Sequence, residues 1–184
     1  MSRRGITEPL AEVGRALGER ILVLGIQADD TVVMGLTGAG IEPRDDASCR
    51  QFVLEMFAFL MHLADRRAFE ILGAGRRGEV IDAMVGRITA NFDQENEAPL
   101  LIETYNRRQL EYAKCRKLLA DVGEPMKGTS VWEFSTRLVQ AIGARNPVPS
   151  PILILQVTDI SIEVFKAVDA VLGRTTDPIP TETR

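Results

Sequence analysis

One histidine, one tryptophan and two cysteines stand in the whole chain, and each scarcity closes off a class of chemistry. Cys49 and Cys115, with His62 as the sole imidazole, cannot assemble a Cys/His zinc centre. The standard di-iron site of helical bundles needs two Glu-x-x-His pairs, and no Glu stands three residues before His62. A metal site of carboxylates alone, drawn from Glu55, Asp65, Glu103 and Glu111, would be unusual. No metal or cofactor is therefore expected. On count alone one disulfide is open to the two cysteines, yet a reduced pair suits a chain of this size and composition better.

Long apolar runs are also missing. The longest, Phe52 to Ala64, is interrupted by Glu55 and His62 and is too short to span a bilayer, so no membrane insertion is expected. Met1-Ser2-Arg3-Arg4 leads into Gly5, Thr7, Glu8 and Pro9 rather than an apolar export segment, which points to a cytoplasmic protein. Aromatics make up only 5% of the chain, leaving the core to Leu, Ile, Val, Ala and Met. An excess of positive charge is absent too. The net charge is -4, which does not draw phosphate backbones or anionic lipid over the whole surface.

What is present is ordinary globular material: 184 residues, 45% apolar and 26% charged, enough for one domain with a sizeable core. The helical spacing of apolar residues predicts an all-α fold, a single-domain bundle of about five to six helices. Residues 7–172 form the expected domain, with a tail at 1–6 and a flexible tail at 173–184. The first helix is expected from about Pro9 to Gln27, capped by Thr7 and ended by Asp29-Asp30. The glycine-spaced piece Thr31 to Gly40 reads as a short helix or turn. The second helix is the clearest core element. Ser48 and Gln51 fit a capping box, and apolar residues then occupy nearly every side up to Leu72, with Gly73 as the stop.

A third helix carries Ile81, Met84, Val85, Ile88 and Phe92. A fourth, from Pro99, places Leu101, Tyr105, Tyr112, Cys115, Leu119 and Val122 on one side, until Gly123-Glu124-Pro125 breaks it. Ser130 and Glu133 suggest a second capping box, with Trp132 as a packing anchor in the first turn of helix five. The last helix opens at Ser150-Pro151. Its many β-branched residues favour a strand, but the period of Val157, Val164, Val168 and Val171 favours a helix.

Three patterns carry functional suggestions. Gly73-Ala74-Gly75-Arg76-Arg77-Gly78 satisfies G-x-G-x-x-G, which in a dinucleotide fold lets pyrophosphate approach a helix N-terminus, and Glu103 is a candidate ribose acid. Context weighs against this reading, because no clear strand precedes Gly73 and a glycine-rich stop between helices accounts for the same residues. Glu55, His62 and Asp65 share one face of the second helix, with Arg66 adjacent. His62 beside Asp65 has the form of a general base with a fixed tautomer, though a buried histidine satisfied by its neighbour is the commoner arrangement. A pocket for a small molecule would draw on Glu55, His62, Asp65, Arg66 and Tyr105. Basic residues also cluster at Arg66-Arg67, at Arg76-Arg77 and along Arg107, Arg108, Lys114, Arg116 and Lys117. No helix-turn-helix pattern and no interleaved aromatics accompany them, so nucleic acid is a weak expectation.

The leading expectation is a non-catalytic interaction or scaffold protein that pairs with itself or with another protein. Several helices, notably the first and the last, are apolar over more than one face, and such surplus surface often closes an interface. The alternatives are a small-molecule binder or enzyme at His62 and Asp65, and a nucleotide-binding α/β domain built on Gly73, Gly75 and Gly78.

Overall fold

The computed structural model of the chain describes residues 9–38, 45–115, 117–121, 124–143 and 148–173. These form six α-helices and no strand: α1 (Leu10–Gly38), α2 (Asp46–Leu72), α3 (Ala74–Thr89), α4 (Glu97–Tyr112), α5 (Ser130–Ala141) and α6 (Pro151–Leu172). The all-α helical bundle read from the periodicity is the observed fold. The α/β alternative fails at its first requirement, since Gly73 joins two helices and Gly75 and Gly78 lie within α3. Gly73 adopts φ 70°, and its N–H closes α2 on the Phe69 carbonyl at 2.9 Å. The described residues contain no helix long and apolar enough to cross a membrane.

α2 is the axis of the bundle. Phe52 and every residue from Leu54 to Asp65 are buried, because all five other helices pack against it. Phe59 lies at the middle of this stretch. Its ring stacks on Phe134 of α5 at 3.9 Å and meets Tyr112 of α4 edge-on at 5.6 Å. Each fully buried Leu, Met or Phe along this run contributes about 1.5–3 kcal/mol by leaving water, and the run supplies most of what the other helices share.

α1 does not stop at Asp29-Asp30. It continues to Gly38 as one helix, so the separate short element expected at 31–40 is absent as far as the described residues reach. The reason is packing: Ala28, Val32 and Leu36 extend the buried stripe of Val13, Leu17 and Ile21 at helical spacing. α1 lies close against α3 through two glycines. A Cβ on Gly14 would sit 2.7 Å from the Ala83 Cβ, and one on Gly18 would sit 2.8 Å from the Arg87 Cβ. Residues 14 and 18 meet 83 and 87, so the two helices run in the same direction.

Two expected caps shift. The N-cap of α2 is Asp45, whose carboxylate accepts the Ser48 N–H at 2.8 Å; Ser48 is inside the helix, and Gln51 turns to Glu55 instead. The N-cap of α5 is Thr129 rather than Ser130. All four leading N–H groups of α5 find acceptors: Ser130 on the Lys117 carbonyl, Val131 on the Leu118 carbonyl, Trp132 on Thr129 Oγ1 and Glu133 on the Thr129 carbonyl. This also explains why α4 ends at Tyr112, well before Cys115 and Leu119. The chain leaves the helix so that carbonyls 117 and 118 can serve the start of α5.

α6 is helical as the period requires, with Ser150 Oγ accepting the Leu153 N–H at 3.2 Å and Pro151 in the first turn. The expected Thr7 cap, the 1–6 tail, the tail beyond Gly173, Gly40, Arg116, Val122 and Gly123 lie outside the described residues.

Candidate functional site

The polar stripe of α2 faces α4. Along the interface Phe59 meets Tyr112, His62 meets Gln109, and Asp65 lies nearest Tyr105 and Gln109. As α2 ascends its partners on α4 descend, so the helices are antiparallel and their stripes align over two turns. Glu55, His62, Asp65 and Tyr105 are all buried in this seam.

His62 is 6% exposed, and its Nδ1 lies 2.6 Å from Gln109 Oε1. The Gln109 amide nitrogen sits 2.8 Å from Asp65 Oδ2 and 2.7 Å from Tyr105 Oη. A carboxylate only accepts, so the amide NH2 must face Asp65 and the amide oxygen must face His62. Nδ1 therefore carries the proton and donates it, which leaves Nε2 as a bare lone pair. Nε2 is buried and has no hydrogen-bond partner. Burial drives the His62 pKa below its usual 6.5, against the Gln109 bond and the Asp65 charge, with Arg66 adding to the depression. The imidazole is neutral at pH 7.

Asp65 is held from its other side by Arg77 of α3, whose Nε and Nη2 take both carboxylate oxygens. That guanidinium also lies over the Phe69 ring at 5.8 Å. Burial and the Asp65 charge push the Tyr105 hydroxyl well above its ordinary range, so it stays protonated. The order of donation is Arg77 to Asp65, Gln109 to Asp65 and Tyr105, and His62 to Gln109. Of the buried polar atoms in this group, Nε2 is the one without a partner.

One turn and more away, Glu55 forms a second cluster. Arg108 grips it with Nε at 2.7 Å and Nη2 at 2.5 Å, and its Nη1 reaches Glu111 at 2.6 Å. Arg137 of α5 also meets Glu111, at 3.2 Å. Glu55 thus belongs to an ion network of α2, α4 and α5 and not to the His62 group. Arg66 makes no hydrogen bond to either cluster; it is half-buried, acts on His62 through its charge alone, and comes no nearer than 4.0 Å to Glu70. Of the five expected pocket residues, the structure gathers His62, Asp65 and Tyr105.

Gln109, Arg77 and the pairing role of Arg108 were not legible as site residues. One signal was present: Tyr105, Arg108, Gln109 and Tyr112 recur at helical spacing on α4, a polar stripe of the same kind as that on α2. The basic clustering is answered in part within the fold. Arg67 pairs with Asp169 at 2.7 Å and Glu70 at 2.8 Å, Arg77 with Asp65, Arg108 with Glu55, and Lys117 with Asp121 and Glu124. An anion-binding face needs unspent cations, and one member of each adjacent pair, Arg67, Arg77 and Arg108, is already spent on a carboxylate.

Chemically, the seam can hold one imidazole in one tautomer. Among the described residues no hydroxyl or thiol is hydrogen-bonded to Nε2, and no group of three His, Cys, Asp or Glu side chains is placed to hold a metal ion. This geometry is that of a specifying polar network between packed helices. No protein-family model, curated protein or solved structure matches the chain.

Proposed function

We propose that this protein is a non-catalytic helical interaction protein that pairs with a second copy of itself through the outer face of α6. One observation carries the reading. Val148, just before α6, with Ile152, Leu155 and Ile162 on it, are 59%, 58%, 65% and 44% exposed. Positions 148, 152, 155, 159 and 162 alternate steps of four and three, the spacing of a seam between paired helices. Asp159 is the single charge on that seam. A two-fold interface needs only one such stripe, because the same residues serve both partners. The inner face of α6 is already committed through Leu153, Val157, Val164 and Val168 to the bundle, so about half of the outer aliphatic surface is left in water by the folding of one chain.

A ligand site at His62, Asp65 and Tyr105 has less support, because those side chains spend their hydrogen bonds on one another. Light scattering or native mass measurement at micromolar concentration tests the proposal directly. The expected result is twice the chain mass, reverting to the single mass in an Ile152→Glu, Leu155→Glu variant with an unchanged far-UV spectrum. A wild-type protein that stays monomeric throughout the micromolar range rejects it.

A further inference from the structure

A cleft of about 310 Å³ opens where α4 ends against α5, lined by Glu111, Lys114, Cys115, Gly128, Glu133 and Arg137. Its size is at the small end of ligand clefts. Two of its four charges answer each other, Arg137 meeting Glu111 at 3.2 Å with Arg108 behind. The other two do not. Lys114 and Glu133 face the same cleft with opposite charges, and neither reaches an ion-pair partner among the described residues. The Tyr112 hydroxyl, fully buried and without a hydrogen-bond partner, lies among the Glu55, Arg108, Glu111 and Arg137 charges behind this cleft.

We propose that this cleft binds a small zwitterion of amino-acid size, its carboxylate toward Lys114 and its cationic nitrogen toward Glu133. A simple anion would gain Lys114 but confront Glu133 and Glu111, and a simple cation would meet the reverse conflict; like-charge contacts of that kind cost affinity. A molecule carrying both charges meets Lys114 and Glu133 at once without a like-charge contact at either. The site is independent of the α6 seam, so either reading stands without the other.

Cys115 supplies the readout. Burial first, and the nearby Glu133 carboxylate as well, push its thiol above the usual value against a Ser130 contact; it is a neutral thiol at pH 7 whose accessibility reports on occupancy. With Cys49→Ser in place, Cys115 is the sole thiol. The rate of its alkylation is measured in millimolar glycine betaine and each standard amino acid except cysteine, whose thiol would consume the reagent, with acetate and ethylammonium as carriers of one charge each. At least one zwitterion slows labelling saturably, and the single-charge fragments do not. Lys114→Gln and Glu133→Gln each weaken that protection at least about tenfold, the scale of a lost charge-assisted hydrogen bond, with the melting temperature unchanged. Absence of protection by any zwitterion overturns the proposal, as does equal protection by acetate or ethylammonium. If either variant melts early, its unprotected labelling rate is matched to wild type by lowering temperature, and protection that survives the substitution overturns it equally.

Discussion

Arg108 and Arg77 each hold a buried carboxylate, but they differ in what their loss leaves behind. The Arg108 side chain is 9% exposed and seals Glu55, itself 3% exposed. Arg108→Leu strands that carboxylate in the core, and breaking a pair of this kind costs about 3–5 kcal/mol. Arg77 is 39% exposed, and Asp65 keeps Gln109 when it goes, so Arg77→Leu costs less, about 1–3 kcal/mol. Urea unfolding of both variants checks the order, and the double variant Glu55→Leu, Arg108→Leu recovers part of the Arg108 loss because no orphan charge remains. His62 gives a sharper residue-level test, being the only histidine. Its folded pKa lies below 6.5, so the unfolded chain takes up a proton that the folded chain refuses. Stability is therefore greatest above about pH 6.5 and falls as pH drops below it, by at most about 1.4 kcal/mol per pH unit. Urea midpoints between about pH 7.5 and about pH 5.5 should show this slope in the wild type and lose it in His62→Gln, which keeps a donor for Gln109.

At the scale of elements, the α1–α3 contact depends on two missing side chains. Alanine ordinarily improves a helix by up to about 1 kcal/mol over glycine. At Gly14 the new methyl meets the Val80 carbonyl and the Ala83 methyl, so Gly14→Ala should destabilise by about 1–3 kcal/mol as the helices are pushed apart. Gly86, on the exposed side of α3 with nothing within 4 Å of where a methyl would sit, is the control. Gly86→Ala should stabilise by about 0.5–1 kcal/mol. Thermal melts of the pair with opposite signs would separate packing from propensity, and equal signs would count against the close contact. The same elements show why some features were legible and others not. Helix identity follows from local period, so α2 with Gly73 as its stop and α6 with its Ser150 cap could be read directly. Boundaries depend on distant partners: α1 runs past Asp29-Asp30 because Val32 and Leu36 find a core, and α4 stops at Tyr112 because α5 needs carbonyls 117 and 118. The candidate site divides the same way. His62 and Asp65 stand out as polar residues on an otherwise apolar helix and Tyr105 falls on the inward side of the fourth, whereas Gln109 and Arg77 acquire their meaning only when α3 and α4 are laid against α2.

At the scale of the whole molecule, the ion pairs and the apolar faces perform different tasks. Polar seams on α2 face inward and fix which helix lies beside which, while Ile152, Leu155 and Ile162 of α6 stay largely exposed after the described helices have packed. Burying those aliphatics between two chains would link folding to concentration, since a partner that binds only the folded chain stabilises it by mass action. The melting temperature should therefore rise with protein concentration, and each tenfold increase adds about 1.4 kcal/mol to the stability of an associated chain pair. In the Ile152→Glu, Leu155→Glu variant the melting temperature should be lower than wild type at high concentration and the same at every concentration. His62→Gln, which alters the inner seam alone, should keep the concentration dependence while losing the pH dependence. Scanning calorimetry of the three proteins over a hundredfold concentration range, a span expected to shift stability by about 2.7 kcal/mol, separates the inner seam from the outer one. A flat wild-type response would mean that the exposed face of α6 does not hold a second copy.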